Sequence, residues 1–413
     1  MGNGVVIIGT GQAGFQTAAS LRTEGYQEKI TLIGEEPHIP YQRPPLSKSF
    51  LLGTQDLASL ELRPRNFYQD HRIELLAGEN VSAIDCAAKQ VRLESGGHFP
   101  YDKLVLAVGG RNRKLSIDGA ELDGVLYLRS LDEAVILKER IEQAREIVVV
   151  GGGFIGLEIA AVARTLGKSV TVLEALPRLM SRAVAQVISD FYGKMHRSKG
   201  VQVLCEAAVS KLEGANGKVH EVLLSDGTRL PADLVLVGVG IVPNVELARN
   251  AGLSIANGIA VNDFLQTSDE DIFAIGDCAE YPCEYACGRI RLESVQNAAD
   301  QAQCVAAAIA VRPKIYRALP WFWTDQFDVK LQMAGLSNGH DCTVSRGSAE
   351  TSKLSVFYFK EGQLIAIDSI NRPLDHMMGR KLIAQRVRLT PDQAGDESVD
   401  LKKLASSSGV AHG

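Results

Sequence analysis

The chain is patterned as short, unbroken apolar runs, each closed by glycine. Val5-Val6-Ile7-Ile8 runs into Gly9, residues 104–108 into Gly109-Gly110, and Ile147-Val148-Val149-Val150 into Gly151. Leu234-Val235-Leu236-Val237 runs into Gly238, and residues 272–275 into Gly276. Such runs lack polar alternation, which predicts strands buried on both faces, as in a parallel sheet. Helical patterns at 15–24 and 157–166 complete a strand–helix–strand rhythm, so the architecture is predicted to be α/β and doubly wound. The texture changes at Trp321. Beyond it, strands expected at 353–359 and 364–370 are richer in polar positions, and a helix is expected at 375–385. This predicts a third, smaller α+β domain, with residues 406–413, small and polar, as a frayed tail.

Two of the glycine closures carry chemistry. Gly9-Thr10-Gly11-Gln12-Ala13-Gly14 spells GxGxxG between a predicted strand and a predicted helix, and a second strand over 29–33 leads to Glu35. The first glycine permits a tight turn, the second lets backbone approach a pyrophosphate, and the third allows close helix packing; the acid takes a ribose hydroxyl. Gly151-Gly152-Gly153-Phe154-Ile155-Gly156 repeats this logic, with a strand over 169–173 leading to Glu174. One string alone is weak evidence, but two in the same context describe two dinucleotide sites. A redox enzyme needs a donor and an acceptor, and a flavin with a nicotinamide meets that need. Glu174 favours NADH, since a carboxylate bonds a free 2′-hydroxyl and repels a 2′-phosphate; Arg178, four residues on, pulls weakly the other way.

Composition narrows the field. At 413 residues, 46 % hydrophobic and 23 % charged, the chain can fill two or three globular domains. A net charge of −5 argues against a chain-wide nucleic-acid or anionic-lipid footprint. No apolar stretch approaches the roughly 20 residues of a spanning helix, and the N-terminus shows no signal-peptide pattern, so a cytoplasmic protein is expected. The seven cysteines are scattered and odd in number, which suits reduced thiols. Cys283 and Cys287, with Cys278 nearby, lack the two-residue spacing and the second pair of a zinc site, so no metal is expected.

Taken together, the motifs resemble the two-dinucleotide flavoprotein reductases, and more closely the NADH-dependent ferredoxin reductases of bacterial oxygenase systems, of the putidaredoxin reductase type. The resemblance runs over residues 4–400. It rests on both glycine loops, on Pro40-Tyr41-Gln42-Arg43-Pro44-Pro45-Leu46-Ser47-Lys48, and on the stretch from Thr267-Ser268-Asp269 to Gly276-Asp277. Arg291-Leu292-Glu293-Ser294-Val295-Gln296-Asn297-Ala298 and Trp321-Phe322-Trp323-Thr324-Asp325-Gln326 complete it. It implies two Rossmann-like domains in the glutathione-reductase-like plan: a discontinuous FAD domain at 1–110 and 242–320, and an NADH domain at 111–241. The C-terminal α+β domain would span 321–405. FAD would be held by Gly9, Gly11, Ala13, Gly14, Glu35, Arg43, Lys48, Val81, Arg129, Asp277 and Val295, with Val295 acting through its backbone N–H at a helix start. NADH would be held by Gly151, Gly153, Gly156 and Glu174.

The resemblance also pairs Lys48 with Glu158 at the flavin N5 edge. A lone lysine is usually a solvated surface charge, and a glutamate just past a glycine loop often only complements a helix N-terminus. The stiff Pro44-Pro45 pair before Lys48 favours a fixed role. Trp323, otherwise an ordinary packing tryptophan, would stand beside the flavin where electrons depart. No cysteine precedes Cys86, so the thiol relay of disulfide reductases is absent. Electrons must leave the flavin directly, for a small molecule or a docked redox protein. Residues 312–390 carry 12 basic and 7 acidic side chains, which suits an acidic [2Fe-2S] ferredoxin meeting Arg372, Arg380 and Lys381. That ferredoxin would serve a cytochrome P450 or a dioxygenase. Reduction of rubredoxin or monodehydroascorbate, and NADH-sensing of the apoptosis-inducing-factor kind, are the alternatives.

Overall fold

The structure, a computed structural model, describes residues 2–407. The chain forms two compact units. One takes residues 2–42, 57–111 and 242–320; the other takes 43–56, 112–241 and 321–407. The segment expected in the first domain at 1–110 is thus interrupted, since 43–56 packs with the second unit. The reason is local. Leu46, Phe50 and Leu51 are buried, and their turn and short helix pack on the helices Leu131–Gln143 and Phe154–Thr165.

The first unit is built on a five-stranded parallel sheet in the order Ile272–Ala274, Lys103–Leu106, Val5–Ile8, Ile30–Gly34, Ile73–Ala77. Ile7 pairs with Leu32 on one side and Val105 on the other, and all three are inaccessible to water, as the unbroken apolar runs require. Helices Gln12–Thr23 and Val295–Ile309 pack together. The second starts with Ser294 as its cap, the hydroxyl accepting from Asn297 N at 3.0 Å. Val81–Asp85 opens a separate antiparallel sheet of three strands.

The second unit repeats the parallel plan, in the order Gln202–Cys205, Ser169–Glu174, Glu146–Val150, Leu234–Val237, Val125–Tyr127. Its glycine-loop helix is Phe154–Thr165. Both glycine-loop helices begin three residues before the predicted positions. Gly11 and Gly153 are their extended N-caps, which places Gly14 and Gly156 inside the first turn.

The C-terminal part of this unit is a five-stranded antiparallel sheet, Trp321–Gln326, Val329–Gly335, Gln363–Ile370, Lys353–Lys360, Cys342–Ser348, followed by the helix Pro373–Ala384. Buried Asp375 accepts from Ser355 Oγ at 2.9 Å and from Arg372 Nε at 2.5 Å. Arg346 donates to the carbonyls of Asp396 at 2.5 Å and Val399 at 2.9 Å, pinning the chain end. The last helix, Leu401–Ser407, takes in the first two residues of the expected tail; the rest of that tail, from 408, lies outside the described residues.

Tyr358 ties this sheet to the helix Gln186–Ser198. Its hydroxyl accepts from Ala185 N at 3.0 Å and donates to the buried Asp368 carboxyl. Burial pushes Asp368 up to about 7, with the Tyr358 hydrogen bond opposing it. A carboxyl raised in the folded state stabilises the fold most below its unfolded pKa, and loses that contribution as pH rises through about 7. Asp368→Asn, which keeps an acceptor for Tyr358, is therefore expected to remove a decline in stability between about pH 4 and about pH 7.5. Calorimetric Tm against pH checks this: parallel wild-type and variant curves would contradict it.

Candidate active site

Both glycine loops have the backbone that a dinucleotide needs. Gly9 has φ +111°, and a Cβ there would sit 2.2 Å from Ala107 O; a Cβ on Gly14 would sit 1.8 Å from Gly9 O. Gly151 has φ +112°, and a Cβ on Gly156 would sit 2.2 Å from Gly151 O. These four positions admit no side chain. At Gly11 and Gly153, by contrast, a Cβ would meet nothing within 4 Å. Open space at an N-cap with no side-chain cap leaves helix N–H groups facing outward, which fits a pyrophosphate at each loop.

In the first unit the fold draws further expected residues toward the loop. Gly276 has φ +74°, and a Cβ there would lie 3.2 Å from that of Ala13 and 3.8 Å from that of Ala298. The Asp277 turn and the helix that starts at Val295 are thereby brought to Ala13. Glu35 is exposed one residue past its strand, and Val81 is half-buried at the start of Val81–Asp85. Sequence reasoning missed Gln301. Its Oε1 accepts from Gly276 N at 2.7 Å, and its Nε2 is buried without a partner. The one signal was a polar residue on an otherwise alanine-rich buried helix face.

The second unit holds the remaining residues. Arg43 Nη1 donates to Arg129 O at 2.5 Å. Lys48 Nζ lies 2.7 Å from Glu158 Oε2 and 3.2 Å from Pro44 O. The same Glu158 oxygen accepts from Ser47 Oγ at 2.5 Å, while Oε1 accepts from Thr324 Oγ1 at 2.6 Å. Glu158 is 4 % exposed and Lys48 21 %. A buried carboxylate is tolerated only when charge and hydrogen bonds satisfy it, and here three side chains do so. Trp323 is not part of this cluster. It lies on the opposite face of Trp321–Gln326 from Thr324, half-buried, with its ring 5.5 Å from that of Trp321.

Glu174 ends its strand with both oxygens engaged: Oε2 accepts from Gly152 N and Oε1 from Leu176 N, each at 2.9 Å. A carboxylate oxygen has lone pairs to spare, so ribose hydroxyls can still bind there. Arg178 donates instead to Val184 O and Ser181 O, each at 2.8 Å, so two of its nitrogens are engaged in folding the loop beyond the strand. Of the expected docking residues, Arg372 is taken up by Asp375 and by Glu397 at 2.6 Å; Arg380 stacks over Trp321 at 4.7 Å; Lys381 is exposed. The basic excess of 312–390 also does not extend over the whole C-terminal part, because 321–405 carries eleven basic and eleven acidic side chains.

With this geometry established, comparison with known proteins places the chain. The family described as pyridine nucleotide-disulphide oxidoreductase matches residues 3–302, and the reductase C-terminal family matches 321–405. The chain belongs to the pyridine nucleotide-disulphide oxidoreductase family. Rhodocoxin reductase of Rhodococcus erythropolis is 48 % identical, covering 96 % of this chain and 93 % of the relative. Putidaredoxin reductase of Pseudomonas putida is 41 % identical over 98 % and 97 %. The crystal structure of the ferredoxin reductase for the CYP199A2 system from Rhodopseudomonas palustris has 47 % identity and a TM-score of 0.96, covering 98 % of this chain and 100 % of that one. The structure of the covalent putidaredoxin reductase–putidaredoxin complex has 40 % identity and the same TM-score, covering 98 % and 99 %.

Like its family, the chain is an oxidoreductase that uses FAD and a nicotinamide nucleotide. The family name refers to disulfide chemistry, yet the segment 43–48 offers proline, serine and lysine and no thiol, and all seven cysteines are free. If Glu174 holds the ribose, Glu174→Ala is expected to raise the KM for NADH about tenfold, the scale of one charge-assisted hydrogen bond. Steady-state kinetics check this; an unchanged KM would remove Glu174 from the NADH site.

Proposed function

We propose that this protein is an NADH-dependent ferredoxin reductase that supplies a cytochrome P450 or a ring-hydroxylating dioxygenase. The observation that carries the reading is the ion pair between half-buried Lys48, in the cysteine-free segment 43–48, and buried Glu158. Bound FAD supplies the chemistry that couples a two-electron donor to a one-electron acceptor. Residues of 1–110 and 242–320 hold it, with Gly9, Gly11 and Gly14 at the pyrophosphate and Glu35, Asp277 and the Val295 amide at its polar edges. Residues of 111–241 hold NADH, through Gly151, Gly153 and Gly156 at the pyrophosphate and Glu174 at the ribose. Lys48 would act at the flavin, its ammonium held in place by Glu158. Free thiols and NADH use suit a cytoplasmic setting.

A carboxylate that two buried hydroxyls and a half-buried ammonium address does more than complement a helix end. Removing it leaves half-buried Lys48 without its charge partner, at a cost below the roughly 3–5 kcal/mol of breaking a fully buried pair. Glu158→Ala is expected to slow FAD reduction by NADH at least tenfold in stopped flow, with NADH affinity little changed. A wild-type rate would end the assignment.

The acceptor is an acidic [2Fe-2S] ferredoxin. The outer face of Pro373–Ala384 presents Leu374 and Met377, about half exposed, beside exposed Lys381, with half-buried Arg380 next to it. An apolar centre with basic neighbours matches the weak, steered encounters of electron-transfer partners. Lys381→Glu is expected to raise the ferredoxin KM several-fold and flatten its dependence on ionic strength. An unaltered KM would move docking to another face, and reduction of rubredoxin in preference to any [2Fe-2S] ferredoxin would change the acceptor class.

A further inference from the structure

Glu158 is anchored from a side that its pairing with Lys48 does not require. Thr324 Oγ1, which donates to Glu158 Oε1 at 2.6 Å, accepts from Gln326 Nε2 at 3.3 Å. Gln326 Oε1 lies 2.9 Å from His196 Nε2. Thr324 and Gln326 alternate on one face of Trp321–Gln326, and His196 belongs to the last turn of Gln186–Ser198. All are buried: Thr324 and His196 fully, Gln326 to 1 % exposure.

The carboxylate end sets the polarity of this chain. Ionised Glu158 can only accept, so Thr324 donates to it. The hydroxyl then meets Gln326 with a lone pair, so the amide turns its NH2 toward Thr324 and its oxygen toward His196. An amide oxygen only accepts, so the imidazole carries its proton on Nε2. The other ring nitrogen, Nδ1, is buried with no partner. As a bare lone pair it is tolerable, whereas in the imidazolium it would be an unsatisfied N–H. Burial also holds His196 below the usual histidine range, the Gln326 contact opposing it. The charged groups nearby are Lys48, on the far oxygen of Glu158, and the Lys199–Asp328 pair beside Phe327, whose ring meets His196 at 5.2 Å. Tyr192, on the same helix, is kept neutral by burial.

We infer that His196, acting through Gln326 and Thr324, is a positioning residue for Glu158. The neutral Nε2–H tautomer orders the chain so that every hydrogen bond is donated toward the carboxylate. Oε1 is thereby reserved for Thr324, and Oε2 is left to Ser47 and Lys48. The chain orients; it does not carry protons, because passage through Gln326 would require the imidic form of its amide. The inference rests on the assignment of Lys48 and Glu158 to the flavin reaction, and it extends that site by three residues on two other elements.

The test begins with the holoenzyme labelled with 15N-histidine, which has eight histidines; the His196 signals are identified by their loss in His196→Phe. The expected result is a neutral ring protonated at Nε2 from about pH 8 to about pH 5, where an ordinary histidine titrates. A proton on Nδ1, or titration within that range, overturns the inference. Rates supply the second arm. Thr324→Val should slow FAD reduction by NADH about tenfold without changing NADH affinity, and Thr324→Ser should restore it to within about twofold. His196→Phe should slow the reaction about threefold in the wild type and have no effect in the Thr324→Val background. Additive losses, or no rescue by serine, overturn the inference. If the Thr324 variants fail to fold, the wild-type tautomer decides alone; if His196→Phe fails, His196→Gln identifies the signals in its place. A wild-type rate in Glu158→Ala together with a neutral Nε2–H His196 would instead mark failure of the flavin assignment, so the two failures are distinguishable.

Discussion

The second unit depends on a buried carboxylate that has to be satisfied. Glu158 sits in the first turn and a half of a helix whose other buried residues are apolar, in a position where an unpaired charge is not tolerable. Its donors come from two distant stretches, Ser47 and Lys48 before it and Thr324 after it. Satisfying one ion therefore ties residues 43–56 and the C-terminal sheet to the domain that carries the second glycine loop. It acts together with apolar packing in joining three separated stretches of chain into one compact unit. The apolar contacts of Leu46, Phe50 and Leu51 supply burial beside it.

The two glycine loops show how the same physics is used twice with different finishing. Each has one glycine forced by positive φ and one forced by the nearness of its own loop carbonyl. Each leaves a helix N-terminus open, which is a general anion site and carries no preference between nucleotides. The loops differ in the acid at the end of the next strand. Glu35 is exposed, while Glu174 is braced by two backbone amides and has Arg178 turned away into the loop beyond. A braced carboxylate has its position set in advance of any ligand.

The C-terminal domain does less through net charge than through placement. Its acidic end returns onto Arg346 and Arg372, and the charges of 321–405 balance. Its sheet also reaches the helix Gln186–Ser198 at both ends, through Tyr358 near the start and Gln326 at the last turn. The domain that offers the outer face of Pro373–Ala384 is thus the one that holds Thr324 against Glu158.

The architecture was legible in the chain because its signals are local. Unbroken β-branched runs closed by glycine report strands buried on both faces, and the spacing of the glycines reports backbone that must approach itself or a phosphate. The missing thiol and the acids at 35 and 174 were equally plain. Helix starts were misplaced by three residues, because the last glycine of each loop reads as loop while the geometry puts it inside the helix. What the sequence alone did not show depends on residues far apart in the chain. Arg372 read as a docking contact until Asp375 and Glu397 were found beside it, and Arg178 as a weak pull toward a 2′-phosphate until Val184 and Ser181 engaged it. Gln301, Thr324, Gln326 and His196 have no motif at all; each is an ordinary polar residue whose meaning lies in the partner it meets in a dry interior. A hydrogen bond between residues 166 positions apart, such as that from Thr324 to Glu158, leaves no trace in local periodicity. Only the packing of one strand against one helix creates it.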